Sequence, residues 1–281
     1  MRKAKVKCNI DRLKLKCSGG DWLFDEILAG SSAYYFDGAK VQPISLEYFK
    51  DDSDEARCIT ADVYMEGYDY PIVNLRIERK HYTSCKVYNR VFYSDNLMHM
   101  VIPLLDELQL RVEAVERVEL AVDTNVSILA RLRAMIKNVG EYDMIVNGAK
   151  VAYDEACLTL ISCLSRKRTM LKNATICHSN SSGFDIKIYD KRAEILQSGK
   201  DYIQAYNDMK GSVMQRIEIG LSGFHLNRVW EDGYELLHYM LFEPHRLKMV
   251  EEYCNRILRF NSKSASQRKK SDTISILDLI Y

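Results

Sequence analysis

The sequence predicts an α+β fold with a mostly antiparallel central sheet, helices packed on one face of it, and a helical C-terminal region. Three observations carry this. Short segments rich in Val, Ile, Tyr and Thr, with apolar residues at alternate positions, recur through most of the chain. Turn-forming clusters such as DDSD (51–54) and EGYD (66–69) separate them. The stretch 223–260 instead carries its apolar residues at helical spacing, with breaks at Gly233 and Pro244.

Taken in order, VKCNIDRLKLKC (6–17) alternates loosely and reads as a strand. DWLFDEILAG (21–30) reads as a short helix with Asp21 to cap it and Gly30 to end it. Residues 43–48, 56–65, 71–79 and 84–93 are four further strand candidates. DNLMHMVIPLLDELQL (95–110) is an amphipathic helix that Pro103 should interrupt. RVEAVERVELAVD is a strand ending at Asp123, and SILARLRAMIK (127–137) a helix with a basic face. Residues 140–164 read as short strands and turns, 166–172 as a basic connector, and 174–178 and 184–189 as strands. A helix starts near Asp190 and runs, with a break at Gly199, toward Met209; SVMQRIEIGL (212–221) is another strand. The tail SKSASQRKKSD (262–272) is polar, basic and expected to be mobile. The apolar end ISILDLIY can dock on this chain or on a partner. The expected division is 1–222 for a catalytic α+β domain, 223–261 for a helical region and 262–281 for the tail.

With 281 residues, 47% of them hydrophobic, the chain can bury a sizeable core. Its net charge of +1 gives no global attraction to nucleic acid, so any basic surface must come from local clustering. No apolar run of about 18 residues suggests a membrane span, and the basic N-terminus lacks the apolar stretch of a secretory signal. The eight cysteines form no C-x-x-C pair and read as reduced, mostly buried thiols of a cytosolic protein. The six histidines are scattered, which argues against a zinc site.

Three strands share one design. Val118, Leu120 and Val122 face one way in RVELAVD, and Arg117, Glu119, Ala121 and Asp123 the other. In QRIEIGL the polar face carries Arg216, Glu218 and Gly220; in FDIKIYD it carries Asp185, Lys187 and Tyr189. If the strands are adjacent, Glu119, Asp123, Glu218, Lys187 and Tyr189 form one patch, with small Ala121 and Gly220 leaving room for a ligand. Carboxylates without His or Cys partners suit hard cations such as Mg²⁺ or Mn²⁺. A tyrosine near Lys187, Lys191 and a metal can be activated as a nucleophile toward a DNA phosphate. Each Arg-x-Glu row taken alone is more simply a set of cross-strand ion pairs on a solvated face.

The order R-V-E-L-A-V-D, T-I-C-H-S-N-S-S-G-F-D-I-K-I-Y-D-K-R-A-E and Q-R-I-E-I-G-L resembles the Rep_trans-type replication initiators of rolling-circle plasmids, related mobile elements and some phages. KVYNRVFYSDNL (86–97) is similar to the segment before their first helix, and the likeness spans roughly residues 70–225. The resemblance implies a bacterial cytoplasmic enzyme that nicks origin DNA, as hairpin or single strand. It leaves a 5′-phosphotyrosine and a free 3′-hydroxyl primer, assisted by Mg²⁺ or Mn²⁺. Tyr189 falls on the nucleophile, and Lys191 completes the Y-D-K pattern beside it; Lys187, two residues before on the same face, is the further catalytic candidate from its charge. Glu119, Asp123 and Glu218 fall where metal ligands are expected, and Glu194 completes the Y-D-K-x-x-E pattern as a support for phosphate or metal; Arg117 and Arg216 of the polar rows are further candidate supports. A homodimer and a host helicase are the implied partners besides DNA. Glu119 stands where Asp is common, Cys177 and Ser179 replace the usual Tyr and Gly, and no His-hydrophobic-His motif occurs. His178 shares strand parity with Ile176 and is read as a packing residue.

Phosphate contacts should come from Arg131, Arg133 and Lys137, from Arg166, Lys167, Arg168 and Lys172, and from Arg268, Lys269 and Lys270. Three other readings compete: a mobilisation relaxase with the same chemistry at a transfer origin, a non-catalytic DNA-binding regulator on the same scaffold, and a structural interaction protein. The phosphate-loop, dinucleotide and hydrolase-elbow motifs are absent.

Overall fold

The structure is a computed structural model that describes residues 4–30, 33–36, 38–48, 56–137, 140–146, 148–151, 173–177, 185–209, 211, 213–226, 228–263 and 273–281. Strands β1 (Val6–Ser18), β2 (Tyr34–Phe36), β3 (Ala39–Tyr48), β4 (Ala56–Met65), β5 (Val73–Glu78), β6 (Thr83–Val87), β7 (Arg111–Thr124), β10 (Asn173–Cys177), β11 (Asp185–Asp190) and β12 (Gln215–Ser222) form a sheet of ten. Its order is β10-β11-β12-β7-β1-β6-β5-β4-β3-β2. A second sheet of four has the order β14-β13-β8-β9, from β8 (Tyr142–Val146), β9 (Ala149–Val151), β13 (Leu258–Ser262) and β14 (Thr273–Ser275). The ladders β1–β6, β3–β4, β4–β5, β5–β6, β10–β11, β11–β12, β8–β13 and β13–β14 run antiparallel, as the sequence predicts. The helices are α1 (Asp21–Leu28), α2 (Asp95–Glu107), α3 (Ile128–Lys137), α4 (Lys191–Ser198), α5 (Asp201–Tyr206), α6 (Gly223–Leu226), α7 (Gly233–Leu241) and α8 (Glu243–Ile257). None of the described helices is long and apolar enough to cross a membrane.

The chain divides into two compact units, and β1 and β7 each contribute residues to both. One unit comprises Met1–Asn9, Glu119–Leu221 and Phe242–Tyr281. Its core holds Leu120, Val122, Ile186, Ile188, Ile217, Ile219 and Leu221, all fully buried. These are the apolar positions of the three alternating strands, and each fully buried side chain contributes about 1.5–3 kcal/mol. The end ISILDLIY packs on this same unit: β14 pairs with β13, and Ile276 and Ile280 are buried. Residues 264–272 of the tail lie outside the described residues.

The other unit comprises Ile10–Val118 and Ser222–Leu241. Here α1 begins after Gly20, which has φ 95°, and Asp21 accepts from the Lys80 amide at 3.1 Å instead of capping the helix. The strand expected over 84–93 ends at Val87, and a 3-10 turn (Asn89–Tyr93) follows. Val91, Phe92 and Tyr93 are consecutive and all buried, which a strand with one solvated face cannot achieve. Asn89 and Tyr93 anchor the turn by donating to Asp11 at 2.7 and 2.8 Å. Pro103 does not interrupt α2. Val101, Ile102, Leu104 and Leu105 are buried on both sides of it, and that packing outweighs the lost hydrogen bond.

Two features of the 223–260 stretch differ from expectation. It is shared between the units, α6 and α7 in one and α8 in the other. Its last residues, read as helix, form β13: Leu258 and Phe260 point inward while Arg259 and Asn261 are half-exposed, a period of two. Gly233 opens α7 and Pro244 lies in the first turn of α8, so both predicted breaks fall at helix starts.

Candidate active site: a tyrosine on a buried carboxylate

Strands β11, β12 and β7 are neighbours, so the three polar rows meet. In the β11–β12 ladder Lys187 lies opposite Glu218 and Tyr189 opposite Arg216. The Tyr189 hydroxyl donates to Glu218 Oε2 at 2.8 Å. Lys187 Nζ donates to the other oxygen, Oε1, at 2.9 Å and sits 3.6 Å from Asp185 Oδ2. Burial alone would lower the ammonium's pKa. The carboxylates of Glu218, Asp185 and Glu119 overcome this and hold it above its ordinary value, so the side chain stays charged.

A second charged group lies deeper. The Arg216 guanidinium is fully buried and forks onto Asp123, with Nε to Oδ1 and Nη2 to Oδ2 both at 2.7 Å. Asn207, just after α5, donates to Asp123 Oδ2 at 2.7 Å and accepts from Asn9 Nδ2 at 3.1 Å. Asp123 therefore has three donors and no access to water.

The third group follows the tyrosine directly. Asp190 ends β11 and caps α4, its carboxylate accepting from the Ala193 amide at 3.1 Å. That turn folds Lys191 back, with Nζ 5.8 Å from the centre of the Tyr189 ring and 2.5 Å from Glu194 Oε2. Burial pushes the Glu194 carboxyl up, but Lys191, Ser198 and Lys200 outweigh it and hold the group below its usual range.

The polar face is not the solvated surface that alternation suggests. Every residue from Gln215 to Leu221 and from Val118 to Thr124 is buried, so β12 and this half of β7 are covered on both faces. The small neighbours Ala121 and Gly220 open no approach there. Burying a carboxylate is costly unless it is paired, and two of these are: Glu218 with Lys187 and Tyr189, Asp123 with Arg216 and Asn207.

That pairing bears on the expected metal. Among the described residues no three His, Cys, Asp or Glu side chains converge on one cation position. Both oxygens of Asp123 and both of Glu218 already accept short hydrogen bonds. Asp123 and Glu218 thus do not fit a divalent ion as they are arranged, because Arg216 and Lys187 already hold their oxygens.

The remaining expected residues are more dispersed. Arg117 is half-buried on β7 and Arg133 half-buried on α3. Arg131 donates to the Leu279 carbonyl at 2.8 Å, tying α3 to the docked C-terminus. Arg166, Lys167, Arg168, Lys172, His178, Arg268, Lys269 and Lys270 lie outside the described residues. Sequence reasoning missed Asn207 and Asn9, which complete the Asp123 network; no local pattern links positions so far apart in the chain.

Fold and cluster together define an α+β protein that sets a tyrosine, two lysines and a buried glutamate at one end of an antiparallel sheet. The same fold occurs in a solved structure, the rolling circle replication initiator protein from Geobacillus stearothermophilus. It matches over 98% of this chain and 95% of that chain, with a TM-score of 0.50 and 14% sequence identity. The expected likeness to a rolling-circle initiator is therefore found at the level of fold, and the α+β class with it. No family model and no curated protein matches the sequence.

Proposed function

We propose that this chain is a replication initiation protein that nicks origin DNA through Tyr189. The observation that carries the reading is the Tyr189 hydroxyl held 2.8 Å from the buried carboxylate of Glu218, in the fold of a rolling-circle initiator. Glu218 is placed to take the phenol proton as Oη attacks a DNA phosphorus. The Oη–P bond forms, the P–O3′ bond breaks, and the 3′ oxygen leaves and takes a proton from water. The product is a 5′-phosphotyrosine and a free 3′-hydroxyl primer. Lys191, over the tyrosine ring, and Lys187 offer positive charge to the phosphate as its negative charge grows. DNA is the partner in this reading, and a dimer is the assembly it would use at an origin. The Mg²⁺ or Mn²⁺ implied by the resemblance is assigned no step.

The test is covalent capture. Labelled single-stranded origin DNA incubated with the protein should give a protease-sensitive adduct, and Tyr189→Phe should give none. An undiminished adduct in that variant would end the assignment of Tyr189; no adduct from the native chain under any divalent-ion condition would end the nicking reading.

A further inference from the structure

The unit formed by Ile10–Val118 and Ser222–Leu241 carries a row of tyrosines that the proposed reaction does not use. At the β2 edge of the sheet, Tyr35 lies opposite Lys40 on β3, and Lys40 lies opposite Tyr64 on β4. Side chains directly opposite on neighbouring strands share one face, with Cβ atoms about 5 Å apart. The three residues therefore form a Tyr-Lys-Tyr row across the sheet. Tyr35 is 71% exposed, and Lys40 Nζ lies 5.9 Å from the centre of the Tyr64 ring. These three and Tyr68 line a hollow of about 490 Å³. Gly38 and Gly67 complete its wall, with open space where a side chain would stand. Tyr70 continues the row: its ring centre is 5.7 Å from that of Tyr68, edge-on, and the Arg90 guanidinium lies over it at 4.0 Å. Among the described lining residues Glu66 is the one acid, and it is exposed.

We propose that Tyr35, Lys40 and Tyr64, continued by Tyr68, Tyr70 and Arg90, form a docking site for single-stranded DNA. Flat bases stack on tyrosine rings and on guanidinium planes, and a lysine beside the rings meets the phosphate that joins one base to the next. The two cations select a polyanion over a neutral sugar or peptide as the occupant. A duplex keeps its base faces stacked on one another, so only an unpaired strand can use the rings. The site belongs wholly to the unit that does not contain Tyr189. It rests on the nicking reading only for taking DNA rather than RNA as the strand.

The experiment is fluorescence anisotropy of dye-labelled oligothymidine, oligouridine and a DNA duplex, with every variant checked for native circular dichroism. Tyr35→Ala/Tyr64→Ala should bind oligothymidine at least about ten-fold more weakly than the native chain, and Tyr35→Phe/Tyr64→Phe, which keeps the rings, should stay within about two-fold of native. Tyr35→Ala alone, at a mostly exposed position, should show a part of the same loss and serves if the double variant fails to fold. Lys40→Gln should lower the slope of log affinity against log salt by about 0.7, the share of one phosphate contact on a single strand. Duplex binding should not change in any of them. The inference is overturned if the native chain does not bind oligothymidine, or if the Ala variants bind it as the native chain does. Equal losses in the Phe and Ala pairs, equal losses for duplex and single strand, or a preference for oligouridine would overturn it too. The adduct assay run beside it separates the two claims. An adduct through Tyr189 with binding unchanged in the Ala variants would remove the docking site and leave the nicking reading intact. Weakened binding in those variants with no adduct from any chain would do the reverse.

Discussion

Arg216 lies opposite Tyr189 in the ladder, and its guanidinium forks onto Asp123. Both side chains are fully buried, and an unpartnered charge left there is costly. Arg216→Met should therefore destabilise the protein by about 3–5 kcal/mol, because Asp123 would keep only Asn207. Removing both charges in Arg216→Met/Asp123→Leu should recover most of that loss. Urea unfolding of the two variants decides this; a double variant no more stable than the single one would show that the pair contributes beyond mutual neutralisation. Glu218 poses a different question, since it is expected to act in the chemistry. Glu218→Gln keeps the side chain's shape but cannot take the phenol proton. The single-turnover rate of adduct formation should fall by about 10²–10⁴, with the affinity for single-stranded DNA within a few-fold of native. A rate unchanged in that variant would make the Tyr189–Glu218 bond merely structural.

At the scale of an element, the segment IKIYDKRAE shows how much a local pattern can specify. Alternation sets Ile186 and Ile188 in the core and Lys187 and Tyr189 on the other face. Asp190 then stops the strand by capping the helix that brings Lys191 back over the tyrosine. The strand ends one residue past that tyrosine, at Asp190, because that residue's side chain is the helix cap. The same legibility extends to Gly199, which ends α4 in the left-handed region at φ 68°. An added Cβ there would meet nothing within 4 Å, so any cost of a larger residue is conformational alone. Gly199→Ala should lower stability by about 1 kcal/mol, and Gly199→Asn by clearly less, because Asn tolerates that conformation. Equal denaturation midpoints for Ala and Asn would contradict the backbone explanation. Elements whose identity depended on distant partners were harder to read. LRFNS alternates as plainly as IKIY, but it follows a helix without a break, and what makes it a strand is pairing with β8 and β14 on either side. Val91, Phe92 and Tyr93 look like strand residues until their common burial shows that no sheet face is available to them.

At the scale of the whole molecule, the sequence identified which side chains share the polar face, but not that its β7 and β12 part is covered. Alternation reports which way a residue points and is silent on what lies above it. Asn207 and Asn9 approach Asp123 from segments whose own sequence carries no sign of that contact, so the β7 and β12 part of the expected open patch is a paired interior, while Lys187 and Tyr189 on β11 stay half-buried. Burial of polar and weakly acidic groups also sets how the molecule responds to pH. All five described cysteines that are free thiols are buried. Burial pushes the thiols of Cys8 and Cys17 up from an ordinary 9.0 to about 12. In the unfolded chain these thiols ionise near the ordinary value, while in the folded chain they hold their protons to much higher pH. Between those limits the folded state binds more protons than the unfolded one, so stability falls as pH rises. Each such group contributes a slope of about 1.4 kcal/mol per pH unit within its window. The loss should begin near pH 9 and continue toward about 12, with stability below pH 9 unaffected by these groups. Urea midpoints measured at intervals of about one pH unit should trace this decline, and Cys8→Ala/Cys17→Ala should make it shallower even if that variant is less stable overall. An identical slope in the two proteins would assign the alkaline loss to other groups.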